Sequence, residues 1–206
     1  MTKKLSMLEI LDGLGKVGII SKKLFLKLAT KSRILELENF SLVKYSDSIF
    51  KAYTLTQKGK KLWIKKNDPK NKNIIYHSSH FNSEHDLRLS DFFFSLKASE
   101  RESWITEKDI ALRFGIGEHC IDGLYKDEKL KIWVCVESIG RSYSRKRIEE
   151  KKRIFREVLK KKGAAKLVLL HPESSPFFCE NSNENEFLRE NGLLPNGDTK
   201  TKKIKT

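Results

Sequence analysis

Apolar residues in the first third of the chain recur every three or four positions and then begin to alternate with polar residues. The helical spacing predicts three short helices: residues 7–15, 22–29 and 30–40. Each begins near a side chain that can cap its first turn: Ser6, Ser21, and Thr30 or Ser32. The alternating segments, residues 42–45 and 49–55, predict two antiparallel strands joined by a turn. A short basic helix over residues 56–66 completes the region.

A second patterned region begins at Ser83, which can cap a helix reaching to about residue 98. It continues with a short strand at residues 104–105 and a helix that Thr106 can cap. Two strands rich in β-branched and aromatic residues follow, at residues 120–126 and 131–137, and their spacing predicts a hairpin. An amphipathic helix over residues 144–162 and a buried strand at residues 166–170 then predict a crossover that places its two strands parallel. The apolar stripe expected on that helix comprises Ile148, Lys152, Phe155 and Leu159, with Val158 beside them.

The two patterned regions are separated by a segment rich in Asn, Lys, Pro and Ser. Such composition is typical of a linker, although the apolar residues 74–76 within it could form an edge strand. We therefore predict a mixed α/β chain, α+β overall, in four parts: a first domain at residues 1–66, a linker at 67–82, a second domain with the element order αβββαβ at 83–180, and a flexible basic tail at 181–206.

Charge narrows the choice of partner more than composition does. The chain has 206 residues, a formal net charge of +15 and a pI near 9.7, so its expected partner is a polyanion, with nucleic acid ahead of a membrane surface. No apolar run approaches the ~20 residues of a spanning helix. The start of the chain has too short an apolar stretch for a signal peptide. We therefore expect no membrane association and a cytoplasmic location.

The cysteines and histidines give little indication of a zinc site or a disulfide framework. Cys120, Cys135 and Cys179 show no paired spacing, and Cys135 reads as a small buried core residue. The spacing of three histidines fits no shared face of a helix or strand, so we expect surface or capping roles for them: His77, His80 and His85.

The first domain resembles winged helix-turn-helix DNA-binding domains. The resemblance rests on three helices, a two-stranded wing and the segment Tyr53-Thr54-Leu55-Thr56-Gln57-Lys58-Gly59, which is similar to a recurring end of the wing. It implies that the third helix enters a major groove of duplex DNA. Four basic residues are then expected to contact phosphates: Lys31, Arg33, Lys44 and Lys51. Three short polar residues are expected to contact base edges: Thr30, Ser32 and Asn39. Winged helices also serve as dimerisation or protein-docking modules.

The second domain resembles the restriction-endonuclease-like core of replication-relaxation proteins and of MOBC-type mobilisation relaxases of plasmids and mobile elements. The resemblance extends to about Leu170 and rests on short segments: residues 84–91, residues 104–108, Ile121-Asp122-Gly123, a strand ending in Glu137, then Arg141 and Ser144-Arg145-Lys146-Arg147. It implies a PD-(D/E)xK nuclease core following a winged helix.

That resemblance implies a Mg²⁺ or Mn²⁺ site between Asp122 and Glu137 that acts on a phosphodiester. Two positions depart from the motif, because Ile121 replaces its proline and Ile139 replaces its lysine. Isoleucine cannot carry charge, so a basic residue from a neighbouring element would have to serve: Arg141, Arg145 or Lys146. Arginine stabilises phosphate charge but does not act as a base.

His119 lies three residues before Asp122, and we prefer it to His85 as a general base or phosphate contact. Arg145 and Lys146 also begin a strongly basic helix expected to follow phosphates. Three alternatives stay open. In the first, Asp122 caps the Gly123 turn while Glu137 pairs with Arg141 or Arg145. In the second, the chain is a non-catalytic DNA-binding accessory or repressor protein with a degenerate nuclease fold, which recruits relaxosome or replication proteins or forms a homodimer. In the third, the chain binds RNA.

Overall fold

Helices surround a three-stranded antiparallel sheet in the N-terminal part of the chain. The computed structural model describes residues 4–47, 51–67, 83–115, 120–140, 143–162 and 165–170. The N-terminal elements are α1 Met7–Val17, β1 Ile19–Ser21, α2 Lys22–Leu28, α3 Lys31–Asn39, β2 Val43–Ser46, β3 Ala52–Leu55 and α4 Gln57–Asn67. The strand order is β1-β3-β2.

The predicted caps are confirmed at the first three helices. Ser6 forms a capping box with Glu9, Ser21 accepts from the Leu24 amide, and Thr30 accepts from the Arg33 amide. Strand β1 was not predicted, because three residues are too few to show alternation; it pairs with β3.

The segment Tyr53–Gly59 has a local physical role at each of its key positions. The Tyr53 ring packs edge-on against Phe25 with centroids 4.8 Å apart. Thr56 accepts a hydrogen bond from the Gly59 amide at 3.1 Å and so caps α4. A Cβ at Gly59 would lie 2.1 Å from the Leu42 carbonyl oxygen, so only glycine permits this approach of α4 to the chain before β2.

A second, mixed sheet carries the later elements. These are α5 Ser83–Ser95, α6 Ala98–Glu102, β4 Ile105–Thr106, α7 Glu107–Phe114, β5 Gly123–Lys126, β6 Trp133–Ser138, α8 Arg145–Lys162 and β7 Ala165–Leu170. The strand order is β4-β5-β6-β7; the first two pairs are antiparallel and β6 pairs with β7 in parallel. The predicted hairpin, the parallel pair after the crossover helix and the mixed α/β character are confirmed.

The buried stripe of α8 differs from the predicted one. Among the side chains of α8 that the structure describes, Lys151, Ile154, Phe155 and Val158 are buried, whereas Ile148 and Lys152 are partly exposed; the side chain of Leu159 lies outside the described residues. Periodicity placed Lys152 on the stripe and Lys151 in solvent. In the structure Lys151 is buried and Lys152 is partly exposed, because Lys151 has polar partners inside the protein. The spacing of apolar residues does not indicate such partners.

One hydrophobic core joins the elements on the two sides of the predicted linker. Helix α5 packs against α1 and β1, and Leu89, Phe93 and Phe94 belong to the same buried cluster as Ile10 and Leu14. The contact is close, because a Cβ at Gly13 would lie 2.4 Å from Phe94 Cζ. No helix in the described ranges is both long enough and apolar enough to cross a membrane.

Candidate functional site

Two carboxylates meet where β5 begins and β6 ends. Gly123 pairs with Val136, so Asp122 and Glu137 face each other across the hairpin. The Asp122 amide donates to Glu137 Oε2 at 3.3 Å, and the Ser138 amide donates to Asp122 Oδ2 at 2.7 Å. The expected convergence of these two carboxylates is therefore confirmed, and their chemical role stays a prediction.

Gly123 and Trp104 fix the backbone beside Asp122. A Cβ at Gly123 would lie 2.0 Å from Trp104 Cζ2, so the indole of Trp104 packs directly on the β5 backbone. Trp104 is also stacked with Tyr125 and edge-on to Phe93. Aromatic packing on one side of the hairpin thus holds the strand that carries Asp122.

Lys151 of α8 is the cation that reaches the carboxylates. Its Nζ lies 2.9 Å from Glu137 Oε1 and donates to the Cys120 carbonyl, and the side chain is buried. Sequence reasoning missed this residue by counting it with the solvated charges of the helix. A signal was present, because Lys151 lies three and four positions before Ile154 and Phe155, which are on the buried stripe.

His85 bridges two acidic residues and is buried, so the expectation of a surface or capping role is wrong. Its Nε2 lies 3.1 Å from Asp122 Oδ2, and its Nδ1 lies 3.1 Å from Asp86 Oδ1. Ser138 Oγ donates to the His85 carbonyl at 3.0 Å, which ties the start of α5 to the end of β6. No sequence pattern indicated this contact, because residues 85 and 122 are brought together only by the packing of α5 on the sheet.

The loop before α8 contributes a tyrosine. Tyr143 Oη donates to Glu137 Oε1 at 3.3 Å, and the Arg147 guanidinium lies 4.7 Å from the centre of the tyrosine ring. Burial and the charge of Glu137 raise the pKa of Tyr143 to about 12, so its hydroxyl is a hydrogen-bond donor at neutral pH.

The charges of the cluster are set by their mutual contacts. Burial alone lowers the pKa of His85, but hydrogen bonds to Asp122 and Asp86 outweigh it and raise that pKa to about 10. Burial and the charge of Asp122 raise the pKa of Glu137, with Lys151 acting in the opposite direction. Burial likewise opposes the charged form of Lys151, yet Glu137 and Asp122 raise its pKa. His85 and Lys151 are therefore both cations at neutral pH.

Two of the three basic residues proposed as substitutes for the missing lysine do not reach the carboxylates in the structure. Arg145 and Lys146 are exposed in the first turn of α8, and it is Lys151, later in the same helix, that contacts Glu137. Ile139 is fully buried, and its carbonyl accepts from Arg88 Nη2 at 2.7 Å. Two proposed catalytic residues, His119 and Arg141, lie outside the described residues, as do His77, His80, the segment 74–76 and the tail 181–206.

Most of the residues expected to contact DNA in the N-terminal part are exposed. Lys31, Ser32, Lys44 and Lys51 are at the surface. Arg33 is half-buried, and its Nη1 donates to the Leu5 carbonyl at 2.7 Å, so part of this guanidinium serves the fold.

The donor set at Asp122 and Glu137 suits a hard cation. Magnesium takes oxygen ligands and is commonly held by one or two protein carboxylates, with water and substrate phosphate completing the shell. Within the described ranges no group of three or more His, Cys, Asp or Glu is arranged to hold a metal. Asp122 and Glu137 thus offer the oxygen donors that Mg²⁺ or Mn²⁺ prefers, whereas the described residues offer no closed protein cage such as structural zinc requires.

Comparison with protein-family models, with curated proteins and with solved structures finds no match to this chain.

Proposed function

We propose that this chain is a DNA-binding protein of a plasmid or mobile element that cleaves a phosphodiester bond of the bound DNA. The proposed cleavage site consists of Asp122, Glu137 and Lys151. The observation that carries the proposal is the Lys151 contact to Glu137, at 2.9 Å, because it supplies the cation that Ile139 cannot.

The overall arrangement supports the resemblance to a winged helix followed by a nuclease core. Three helices precede a β-ribbon formed by β2 and β3, and a third strand, β1, completes that sheet. In the second sheet the two carboxylates lie on an antiparallel hairpin whose second strand is joined through α8 to a parallel neighbour. The proposal includes α3 as the recognition helix that enters the major groove of the DNA.

Each polar residue at the site has a distinct chemical task in this proposal. A divalent cation bound by Asp122 and Glu137 would supply Lewis-acid activation of the phosphate and of water. Lys151 remains an ammonium, so it stabilises the extra negative charge of the transition state by donating hydrogen bonds and does not act as a base. His85 holds Asp122 in position from the other side of the pair.

The test is nicking of supercoiled plasmid in the presence of Mg²⁺ or Mn²⁺. We expect Lys151→Met to reduce nicking at least a hundredfold, since loss of one preorganised donor to developing charge costs roughly 10²–10³ in rate. Lys152→Met is the matched control, because that neighbouring lysine is one-third exposed and, within the described ranges, pairs with Glu149 and not with the carboxylates of the site. Asp122→Asn and Glu137→Gln should also abolish nicking.

Loss of folding has to be separated from loss of chemistry. Removing one partner of a buried ion pair costs about 3–5 kcal/mol of stability, because the other charge is left uncompensated. The double variant Glu137→Gln/Lys151→Met removes both charges, so we expect its stability to exceed that of either single variant. If the double variant is folded and still nicks at the wild-type rate, the proposed cleavage site is wrong.

A non-catalytic accessory protein is the second candidate, and burial favours it. Glu137 is fully buried, and Asp122, Lys151 and His85 are each less than 9% exposed and paired with one another. In this second candidate function the network holds α5 and α8 on the sheet and has no catalytic role. The chain then binds DNA and recruits a relaxase, a replication protein or a second copy of itself. Calorimetry then shows no Mg²⁺ or Mn²⁺ uptake that depends on Asp122 and Glu137.

A further inference from the structure

Helix α4 carries the most one-sided charge of the described N-terminal elements. It contains five lysines and no acidic residue over Gln57–Asn67. Four of them are exposed: Lys58, Lys61, Lys65 and Lys66. Because residues three, four and seven positions apart lie on one face of a helix, Lys58, Lys61 and Lys65 form a continuous stripe, which we call the α4 lysine stripe.

No acidic side chain in the part of the chain that the structure describes pairs with this stripe. Within the described ranges, Lys58, Lys61 and Lys65 make no ion pair and no side-chain hydrogen bond. Like charges at these helical spacings destabilise a helix. On α8, by contrast, Lys152 pairs with Glu149 at 2.9 Å.

The helix expected to enter the groove is much less basic. Helix α3, Lys31–Asn39, contains two cations and two carboxylates, Glu36 and Glu38, and so has no net charge. One of its two cations, Arg33, also donates to the Leu5 carbonyl. Helix α3 can contribute contacts to base edges, but it offers little attraction for a phosphate backbone.

Helix α4 is held rigidly enough to present its lysines in a fixed orientation. Trp63 is buried on the opposite face, where its Nε1 donates to Asp12 Oδ1 at 3.2 Å. A Cβ at Gly15 would lie 2.2 Å from the Trp63 ring, so the indole packs directly on the α1 backbone. The capped N-terminus at Thr56 and the close approach at Gly59 fix the other end.

We propose that the α4 lysine stripe is the principal phosphate-backbone contact of this protein on duplex DNA. The inference rests on the proposed DNA-binding function and assigns that binding to residues outside α3 and the β2–β3 ribbon. Nucleic acid is favoured over a membrane because the exposed face of α4 offers one large apolar side chain, Leu62, whereas interfacial helices bury a broad apolar face. Lysines contact phosphates as point charges, which gives affinity without sequence preference.

The experiment measures binding of the full chain to a short labelled duplex over a series of salt concentrations. The variant is Lys58→Gln/Lys61→Gln/Lys65→Gln. The matched control removes the same charge from three exposed lysines of the second half, as Lys108→Gln/Lys126→Gln/Lys129→Gln. We expect the stripe variant to bind at least tenfold more weakly near 0.1 M salt, with a salt slope shallower by about 2–3, at roughly 0.9 for each lost phosphate contact. The control should keep a slope close to that of the wild type.

Each other outcome has a definite meaning. Equal slopes for the stripe variant and the wild type overturn the α4 assignment while leaving DNA binding intact. Equal losses in the stripe variant and the control mean that net charge alone is responsible, which also overturns it. A wild-type chain that does not bind the duplex overturns the proposed function itself. Binding to anionic phosphatidylserine vesicles that depends on the stripe, with no duplex binding, would replace DNA by a membrane.

Discussion

His85 shows how neighbouring carboxylates decide the charge of a single buried side chain. Isolation from water would favour the neutral imidazole, yet the hydrogen bonds to Asp122 and Asp86 keep it protonated and raise its pKa from 6.5 to about 10. A group whose pKa is higher in the folded state stabilises the fold fully below its unfolded pKa. That contribution disappears as the pH rises through the folded pKa.

Replacing His85 by glutamine should therefore reveal a pH-dependent difference in stability. In the presence of a metal chelator, we expect the wild type to exceed His85→Gln in free energy of unfolding by a few kcal/mol at pH 6 and below, at about 1.4 kcal/mol per pKa unit. The difference should shrink steadily between pH 6.5 and pH 10. Denaturant titrations at several pH values measure it, and a difference that does not change with pH would contradict the buried imidazolium.

At the scale of single residues, the sequence revealed the acids of the site but not the cations that accompany them. Asp122 and Glu137 could be found because a hairpin with a short turn brings its two ends together. Lys151 was hidden among other lysines of the same helix, because its spacing to Ile154 and Phe155 indicates a place on the buried stripe but not a buried partner. His85 was hidden because its partner, Asp122, lies 37 positions away, and only tertiary packing joins them.

The junction between β3 and α4 depends on one glycine. At Gly59 the backbone of α4 approaches the Leu42 carbonyl oxygen so closely that a methyl group would lie 2.1 Å from it. The same carbonyl accepts a hydrogen bond from the Thr56 amide, so it cannot withdraw without breaking that bond. The end of the ribbon and the start of α4 are therefore joined by backbone contacts, independent of the surface lysines.

We expect Gly59→Ala to destabilise the chain by about 1–3 kcal/mol, the usual cost of overpacking a rigid site. Gln57→Ala in the same first turn is the control; it is exposed and should change stability by less than about 0.5 kcal/mol. Thermal or denaturant unfolding compares the two. Equal stability of the two variants would mean that α4 can shift away from Leu42 without penalty.

At the scale of elements, periodicity was a good guide to most helices and strands, but it missed two of the short ones. The α1, α3, α8 and β6 segments were predicted close to their observed bounds, because each repeats its pattern several times. β1 and α6 were not predicted, since three and five residues do not establish a period. The face of α8 was misassigned because a buried lysine interrupts its apolar stripe.

At the scale of the molecule, the two halves share their hydrophobic core. Phe93 and Phe94 of α5 lie against α1, and Lys16 Nζ donates to the Arg101 carbonyl at 2.7 Å. The sequence showed two patterned regions and a linker, but it could not show that their apolar faces pack on each other. The proposed DNA-binding surface and the proposed cleavage site consequently belong to one compact unit.

Cleavage should therefore occur at a fixed distance from the bound sequence. The distance between the nick and the footprint of the protein, mapped on a plasmid, is the offset, and it should have a single value. Lengthening the segment 68–82 with glycine and serine should leave the offset unchanged. Gly13→Val, which forces α1 away from Phe94, should broaden the distribution of offsets. An offset that drifts with the inserted length would mean that the linker, and not the core, sets the spacing.

The close fit of Phe94 over Gly13 also limits how such a protein can evolve. A chain built from separable modules acquires a new target by exchanging one module for another. Here an exchange would expose the aromatic residues of α5 that pack against α1. A new specificity therefore has to arise through substitutions at the surface, while the contact between α1 and α5 is kept.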